Sequence, residues 1–129
     1  MITGFYAGLL ALFFVWLSLN VVKLRRRYKV AYGSGGVEPL EQAISAHNNM
    51  SQYSPVMLLL LFFLEYQQVH FLLIHLGGLL FVIGRLIHFR GMTEPHLKKR
   101  VLGMQLTLFP ILAYAALNLL WPFYRWLLL

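Results

Sequence analysis

The chain has 129 residues and no cysteine; 60% of its residues are hydrophobic and 12% are charged. A bilayer is the environment that accommodates so much apolar surface, which excludes an ordinary soluble domain. The lack of cysteine excludes disulfides, thiolate metal ligands and cysteine nucleophiles, and we expect no metal site. The formal net charge of +7 is concentrated beside apolar segments, so we expect no nucleic-acid partner.

Charged residues divide the sequence into four charge-free stretches, at residues 1–22, 42–64, 66–84 and 101–124. Each is close to the roughly 20 residues that a helix needs to cross the hydrocarbon core. The first stretch lacks a basic beginning and is too long for the apolar part of a signal peptide, so we expect it to be retained. We therefore predict an all-α integral membrane protein, a single four-transmembrane-helix bundle with spans at about 2–24, 39–64, 68–89 and 99–124.

Basic residues flank two of the three connections between these spans. The segment "KLRRRYK" follows span 1 and "KKR" precedes span 4, whereas the connection between spans 2 and 3 contains only Glu65 as a charged residue. This asymmetry is typical of the positive-inside rule and predicts cytoplasmic first and third loops, with both termini on the other side. Attraction to anionic lipid accounts for most of these basic residues.

The first loop continues as "YGSGGVEPLEQ". Its glycines resemble a phosphate-binding loop only weakly, because no Lys-Ser/Thr pair follows and no strand precedes; a flexible turn fits better. Pro39 suits the first turn of a helix, and Glu41 lies near the positive end of the helix dipole. We expect span 2 to begin here.

Span 2 begins with an unusually polar half, "SAHNNMSQYSP". At about 100° per residue, four polar side chains fall within roughly 60° of one another, with Asn49 at their border. We call this the polar stripe; it comprises Glu41, Ser45, Asn48 and Gln52. His47 points elsewhere, and we expect it to be partly buried or interfacial. Unsatisfied polar groups are costly in hydrocarbon, so the stripe must face protein, water or a ligand, either as interhelical hydrogen bonds or as a ligand wall.

Further ionisable residues occur at the ends of spans 3 and 4. "GRLIHFR" places Arg85 and His88 three residues apart on one helix face, and Arg100 opens span 4. Ionisable groups inside a membrane are costly and indicate a functional site. These cations and amides favour an anionic, hydrogen-bonding ligand that enters from the cytoplasm, although Arg100 could equally anchor the chain to lipid phosphate.

The segments "VVKLRRRYKVAYGSGG", "AHNNMSQYSP", "GRLIH" and "RVLGMQLT" together resemble the MAPEG family, the membrane-associated proteins in eicosanoid and glutathione metabolism, and in particular its small bacterial branch. The resemblance covers nearly the whole chain. It implies a homotrimer in a bacterial inner membrane, where the charge asymmetry makes both termini periplasmic, and glutathione as a cosubstrate bound between subunits near the cytoplasmic face. Many members conjugate the glutathione thiol to lipophilic small molecules.

The most specific motif of the family departs from its usual form in this chain. Members carry an arginine, an asparagine four residues later and an acidic residue three further on. Here these positions hold Ser45, Asn49 and Gln52, so only the asparagine is kept. Two buried charges are therefore absent together, so neither is left unpaired. The tyrosine that some members place after the histidine is also absent, because "HFRGM" contains none.

Other family positions match this sequence. Lys23 matches a basic residue that contacts glutathione carboxylates, and Arg85 with His88 matches the family's Arg-x-x-His of helix 3. Arg100 matches the arginine near the glutathione sulfur, where a guanidinium favours the thiolate. The resemblance thus implies Arg100 as the catalytic residue and a glutathione-binding set of Lys23, Asn49, Gln52, Arg85 and His88.

Three functions of different classes remain open. The first is a membrane-bound glutathione transferase or peroxidase. The second is a non-catalytic structural or regulatory member of the same family, which the replacements at Ser45 and Gln52 favour. The third is a small transporter, which fits less well because span 1 contains no ionisable residue.

The charge asymmetry makes a testable prediction of topology. Ser34→Cys in the first loop is expected to be shielded from an impermeant thiol reagent applied to intact cells, whereas Gln68→Cys between spans 2 and 3 is expected to react. The native chain has no cysteine, so it serves as the unlabelled control. Labelling at residue 34 but not at residue 68 would show the opposite topology and contradict the prediction.

Overall fold

The computed structural model describes residues 1–94 and 96–129, which form four α-helices. Their bounds are α1 (Ile2–Tyr28), α2 (Glu38–Tyr66), α3 (Phe71–Thr93) and α4 (Leu97–Leu128). The predicted all-α four-helix bundle is confirmed. The helices extend beyond most of the predicted span ends, because the basic segment after span 1 and the residues around Thr93 are still helical.

Three of the four helices, α1, α3 and α4, are long and apolar enough to cross a membrane. The fourth, α2, has 29 residues, but its first half contains the polar residues noted in the sequence. Pro39 occupies its first turn and Glu38 and Glu41 accompany it there, as the sequence predicts. Large apolar side chains such as Leu12, Phe109 and Leu112 are exposed, as expected of surfaces in contact with lipid tails.

The helices pack with α2 and α3 at the centre. α3 packs most extensively against α4 and α1 against α2, while α2 also contacts α3 and α4. α1 touches α3, but no contact between α1 and α4 occurs among the described residues. The fully buried side chains include Leu17, Met50, Met57, Leu61, Ile74 and Phe81. This core leaves one flank of α2 open between α1 and α4.

Glycines let α3 and α4 approach closely. Gly77, Gly84 and Gly91 recur every seven residues on α3 and face Tyr114, Leu106 and Arg100 of α4, respectively. From α4, Gly103 faces the backbone of His88. A Cβ atom at Gly103 would lie 2.6 Å from the His88 Cα, so a larger residue would separate the helices. Small residues at such crossings let the backbones of membrane helices approach closely.

Polar contacts join the helices at the end of the bundle where α1 begins. The Glu65 carboxylate accepts hydrogen bonds from the backbone N–H groups of Ile2 and Thr3, the latter at 2.7 Å. A carboxylate at this position also complements the positive end of the helix dipole. The Tyr6 hydroxyl lies 2.9 Å from Nδ1 of His75 on α3. Glu65 therefore has a structural partner at this end of the bundle.

The glycine contact gives a prediction about stability. Gly103→Ala is expected to lower the free energy of unfolding by about 1–3 kcal/mol, because the new methyl group meets the α3 backbone. The matched control is Gly8→Ala on α1, where nothing lies within 4 Å of the added atom. It is expected to raise the free energy of unfolding by less than about 1 kcal/mol, because alanine is favoured over glycine in a helix and the added methyl group meets no neighbour. Thermal unfolding in detergent compares the two, and equal effects would contradict the close contact.

Candidate functional site

A cleft of about 760 Å³ opens between α2, α3 and α4. This volume lies within the usual range of small-molecule sites, about 300–1,000 Å³. The cleft lies at the end of the bundle where α3 ends and α4 begins, the same end as the basic segments. Its lining comprises Ser45, Asn49, His88, Met92, Leu97, Arg100, Val101, Met104, Gln105, Leu108 and Phe109.

The start of α4 carries Arg100 on the wall of the cleft. The His96 ring accepts a hydrogen bond from the Lys99 backbone N–H at 3.3 Å and so caps the helix. Lys99 also lies 3.4 Å from the Glu94 carboxylate, and Arg90 pairs with Glu94 at the same distance. Hydrogen bonding from Lys99, aided by its charge, holds the pKa of Glu94 below its usual value. These exposed ion pairs are weak individually, but they link the end of α3 to the turn that carries Arg100.

Arg85 lies behind the wall of the cleft, against Asn49, which lines it. Arg85 is only 2% exposed, and its guanidinium donates hydrogen bonds to the Asn49 side-chain oxygen and to the Thr107 hydroxyl. The Thr107 hydroxyl in turn donates to the Gly103 carbonyl at 2.8 Å. The sulfur of Met104 lies 3.6 Å from the guanidinium. Arg85 thus joins α2, α3 and α4 through polar contacts.

No carboxylate lies against Arg85 among the described residues. Instead its guanidinium lies over the rings of Tyr53 and Phe81, at 5.7 and 5.8 Å from their centroids. The four acidic side chains are elsewhere: Glu65 binds the start of α1, Glu94 pairs with basic neighbours, and the other two lie in the first turn of α2. Buried charges are normally paired, so this cation in a neutral, aromatic cradle is unusual.

The predicted site residues separate into two groups. Asn49, His88 and Arg100 line the cleft, and Arg85 lies directly behind Asn49. Lys23 and Gln52 are exposed and are not among the residues that line the cleft of one chain. Their assignment to a glutathione site stays a prediction.

The polar stripe faces outward from the single chain. All four of its residues, Glu41, Ser45, Asn48 and Gln52, are exposed, whereas Asn49 at its border is half-buried. His47 lies outside the stripe, as predicted, with a ring nitrogen 2.9 Å from the Ser18 hydroxyl and its ring against Phe14. The other helices of the chain therefore do not cover the stripe.

Sequence reasoning missed Thr107 and Met104 as parts of this site. Both belong to the segment "RVLGMQLT", and Thr107 lies seven residues after Arg100, hence on the same face of α4. Gly103 lies between Arg100 and Thr107 on that face. The spacing of Arg100 and Thr107 is visible in the sequence. A threonine in an apolar helix often hydrogen-bonds only its own backbone, so Thr107 did not indicate a site by itself.

The cleft can bind a ligand that carries hydrogen-bond acceptors and an anionic group. Its polar wall offers the Asn49 amide and the Arg100 guanidinium, while Val101, Leu108 and Phe109 form an apolar wall on α4. The three apolar residues of α4 are not buried, so the cleft adjoins the surface expected to meet lipid. One side thus suits a polar ligand and the other a lipophilic one.

Comparison with known proteins finds similarity over most of the chain. The MAPEG family, by its sequence pattern, matches residues 3–120 of the chain, which confirms the resemblance noted in the sequence. Two similar proteins are both named inner membrane protein YecN, one from Escherichia coli strain K12 and one from strain CFT073. Each is 35% identical to the chain over 119 residues, which cover 92% of the chain and 91% of the relative.

Proposed function

Because this chain belongs to the MAPEG family, we propose that it binds glutathione in the cleft between α2, α3 and α4 and conjugates the glutathione thiol to lipophilic electrophiles. The observation that carries the proposal is the convergence of Asn49, His88 and Arg100 on one cleft beside an apolar wall. The activity is that of a membrane-bound glutathione transferase or peroxidase.

Arg100 has the central role in this chemistry. Its guanidinium favours the charged form of a nearby thiol and thereby lowers the thiol pKa of glutathione. The thiol proton leaves to solvent, and the thiolate sulfur attacks the electrophilic carbon to form a carbon–sulfur bond. Any leaving group departs with the electron pair of the bond that breaks. The protein has no cysteine, so the nucleophile belongs to the cosubstrate.

The lipophilic partner reaches the sulfur from the bilayer. Val101, Leu108 and Phe109 give the cleft an apolar wall that is not buried within the chain. An apolar electrophile dissolved in the membrane can enter along this wall without crossing water. Glutathione, which is polar, enters from the basic end of the bundle, where Lys98, Lys99 and Arg100 attract anions.

A non-catalytic role within the same family is the second candidate. The family's arginine and acidic residue on helix 2 are replaced here by Ser45 and Gln52, and Gln52 does not line the cleft of one chain. Arg85 has neutral partners instead of a carboxylate. These features favour the second candidate, a structural or regulatory membrane protein.

Titration with glutathione tests the proposal. Calorimetry on the detergent-solubilised protein is expected to show saturable binding, and the bound glutathione is expected to show thiolate absorbance near neutral pH. Arg100→Ala is expected to abolish the thiolate signal, because the cation that favours the anion is lost. Lys98→Ala removes an equal charge from the same turn of α4, at an exposed residue that does not line the cleft, and is the matched control for the thiolate signal.

The outcomes separate the two candidates. Binding without turnover toward any electrophile would support the non-catalytic role. If glutathione fails to bind at all, the transferase proposal is wrong.

We also infer that the functional unit is a homotrimer in a bacterial inner membrane, with both termini periplasmic. The exposed polar stripe supports a partner surface, because polar groups facing lipid are unfavourable. The E. coli relatives are named inner membrane proteins, which supports the location in an inner membrane. The clustering of basic residues at one end of the bundle supports periplasmic termini. The number three follows from the family resemblance.

Native mass spectrometry in mild detergent tests the oligomer. The wild-type chain is expected to give a trimer, and Gln52→Leu, which removes a polar group from the stripe, is expected to weaken it. Leu112→Gln changes an exposed apolar residue on α4, away from the stripe, and is expected to leave the mass unchanged. A stable monomer or dimer of the wild type would refute the trimer.

A further inference from the structure

The orientation of the Asn49 amide is determined by its neighbour. An arginine side chain has only hydrogen-bond donors, so the Asn49 atom that faces Arg85 is the carbonyl oxygen. The amide nitrogen, with its two donor hydrogens, is then left for other partners. Its contact within the chain is the Met104 sulfur at 3.8 Å, which is a weak acceptor. Asn49 lines the cleft, so this amide retains donor capacity for a ligand there.

Arg85 is fixed in turn by Thr107. The Thr107 side chain is fully buried, and its hydroxyl proton is committed to the Gly103 carbonyl at 2.8 Å. A lone pair of the same oxygen therefore accepts from the Arg85 guanidinium. All hydrogen bonds in this group have one possible direction, because a carbonyl only accepts and a guanidinium only donates. The network cannot reverse by rotating the amide.

We propose that Thr107 and Arg85 are positioning residues that hold Asn49 as a hydrogen-bond donor, so that the cleft selects an acceptor group of its ligand at this point. For glutathione, that group is a carboxylate or a peptide carbonyl rather than the ammonium group. The proposal rests on the proposed function for the identity of the ligand. It assigns Arg85 to the positioning of Asn49 rather than to direct contact with glutathione.

The nearly isosteric change Asn49→Asp separates positioning from packing. The new carboxylate pairs with Arg85, so the melting temperature is expected to rise. The same change replaces the amide donor with an acceptor that repels the ligand's acceptor, so glutathione affinity is expected to fall at least about tenfold. Gln105→Glu adds the same charge to the wall of the cleft but not at the atom bound by Arg85, and is expected to bring no rise in melting temperature.

Two substitutions at Thr107 test the second step. Thr107→Val keeps the shape but removes the hydroxyl, which releases Arg85, and is expected to weaken glutathione binding by about two- to tenfold. Thr107→Ser keeps the hydroxyl and is expected to restore the affinity. Thr93→Val is the matched control, because the Thr93 hydroxyl also bonds the carbonyl four residues earlier, at 3.1 Å, but that contact lies on α3 away from Arg85.

Calorimetric affinity and melting temperature of each variant decide the outcome. The proposal is supported if Asn49→Asp raises the melting temperature and lowers the glutathione affinity. It also requires that Thr107→Val lowers the affinity and that Thr107→Ser keeps it. If Asn49→Asp is stabilised yet binds glutathione like the wild type, Asn49 only packs against Arg85 and the proposal is overturned while glutathione binding stands. If the wild type itself binds no glutathione, the proposed function fails, and the assigned role of the Asn49 amide fails with it.

Discussion

The close contact between α3 and α4 is the constraint on which the cleft depends. Gly91 faces the Arg100 backbone and Gly103 faces the His88 backbone, so the two helices meet almost without intervening side chains at this end. That approach brings the Arg85 guanidinium of α3 within hydrogen-bonding reach of Thr107 on α4. It also places both helices on one side of a cleft whose other side is α2. A wider separation would leave Arg85 without its α4 partner, so the packing of apolar helices and the polar chemistry depend on the same glycines.

Arg85 shows how a membrane bundle can hold a cation without a carboxylate. Its terminal nitrogens donate hydrogen bonds to Asn49 and Thr107, its buried Nε has no partner among the described residues, and the rings of Tyr53 and Phe81 stabilise the charge through their π faces. Neutral partners compensate a buried charge less fully than an ion pair does. The arrangement is consistent with the helix-2 motif of this chain, where Ser45 and Gln52 stand in place of charged residues. The remaining imbalance of charge leaves the neighbourhood of Asn49 electropositive, which favours an anionic ligand in the cleft.

Much of the fold could be predicted from local sequence signals. Charge-free stretches gave the four helices, and Pro39 with Glu41 marked the start of α2, because these effects act within one helical turn. The site could be predicted only in part. Asn49 and Gln52 lie close together in helical angle, yet Asn49 turns toward Arg85 whereas Gln52 is exposed. That division depends on where α3 and α4 cross α2, which periodicity within α2 cannot specify. The seven-residue spacing of glycines in α3 indicates a close contact with another helix, but it does not identify that helix as α4.

The exposed polar stripe is the surface against which the proposed homotrimer would pack. Glu41, Asn48 and Gln52 lie on the same face of α2 as Ser45, which lines the cleft, so the open side of the cleft and the polar surface are continuous. Facing lipid, each of these groups would lack hydrogen-bond partners at a cost of several kcal/mol. A second copy placed against the stripe would satisfy these groups and close the cleft at once. In the proposed trimer, we expect Lys23 and Gln52, which lie outside the cleft of one chain, to complete the cleft of a neighbouring copy. Association and ligand binding would in that case be coupled through the same face of α2, because each orders the side chains that the other requires.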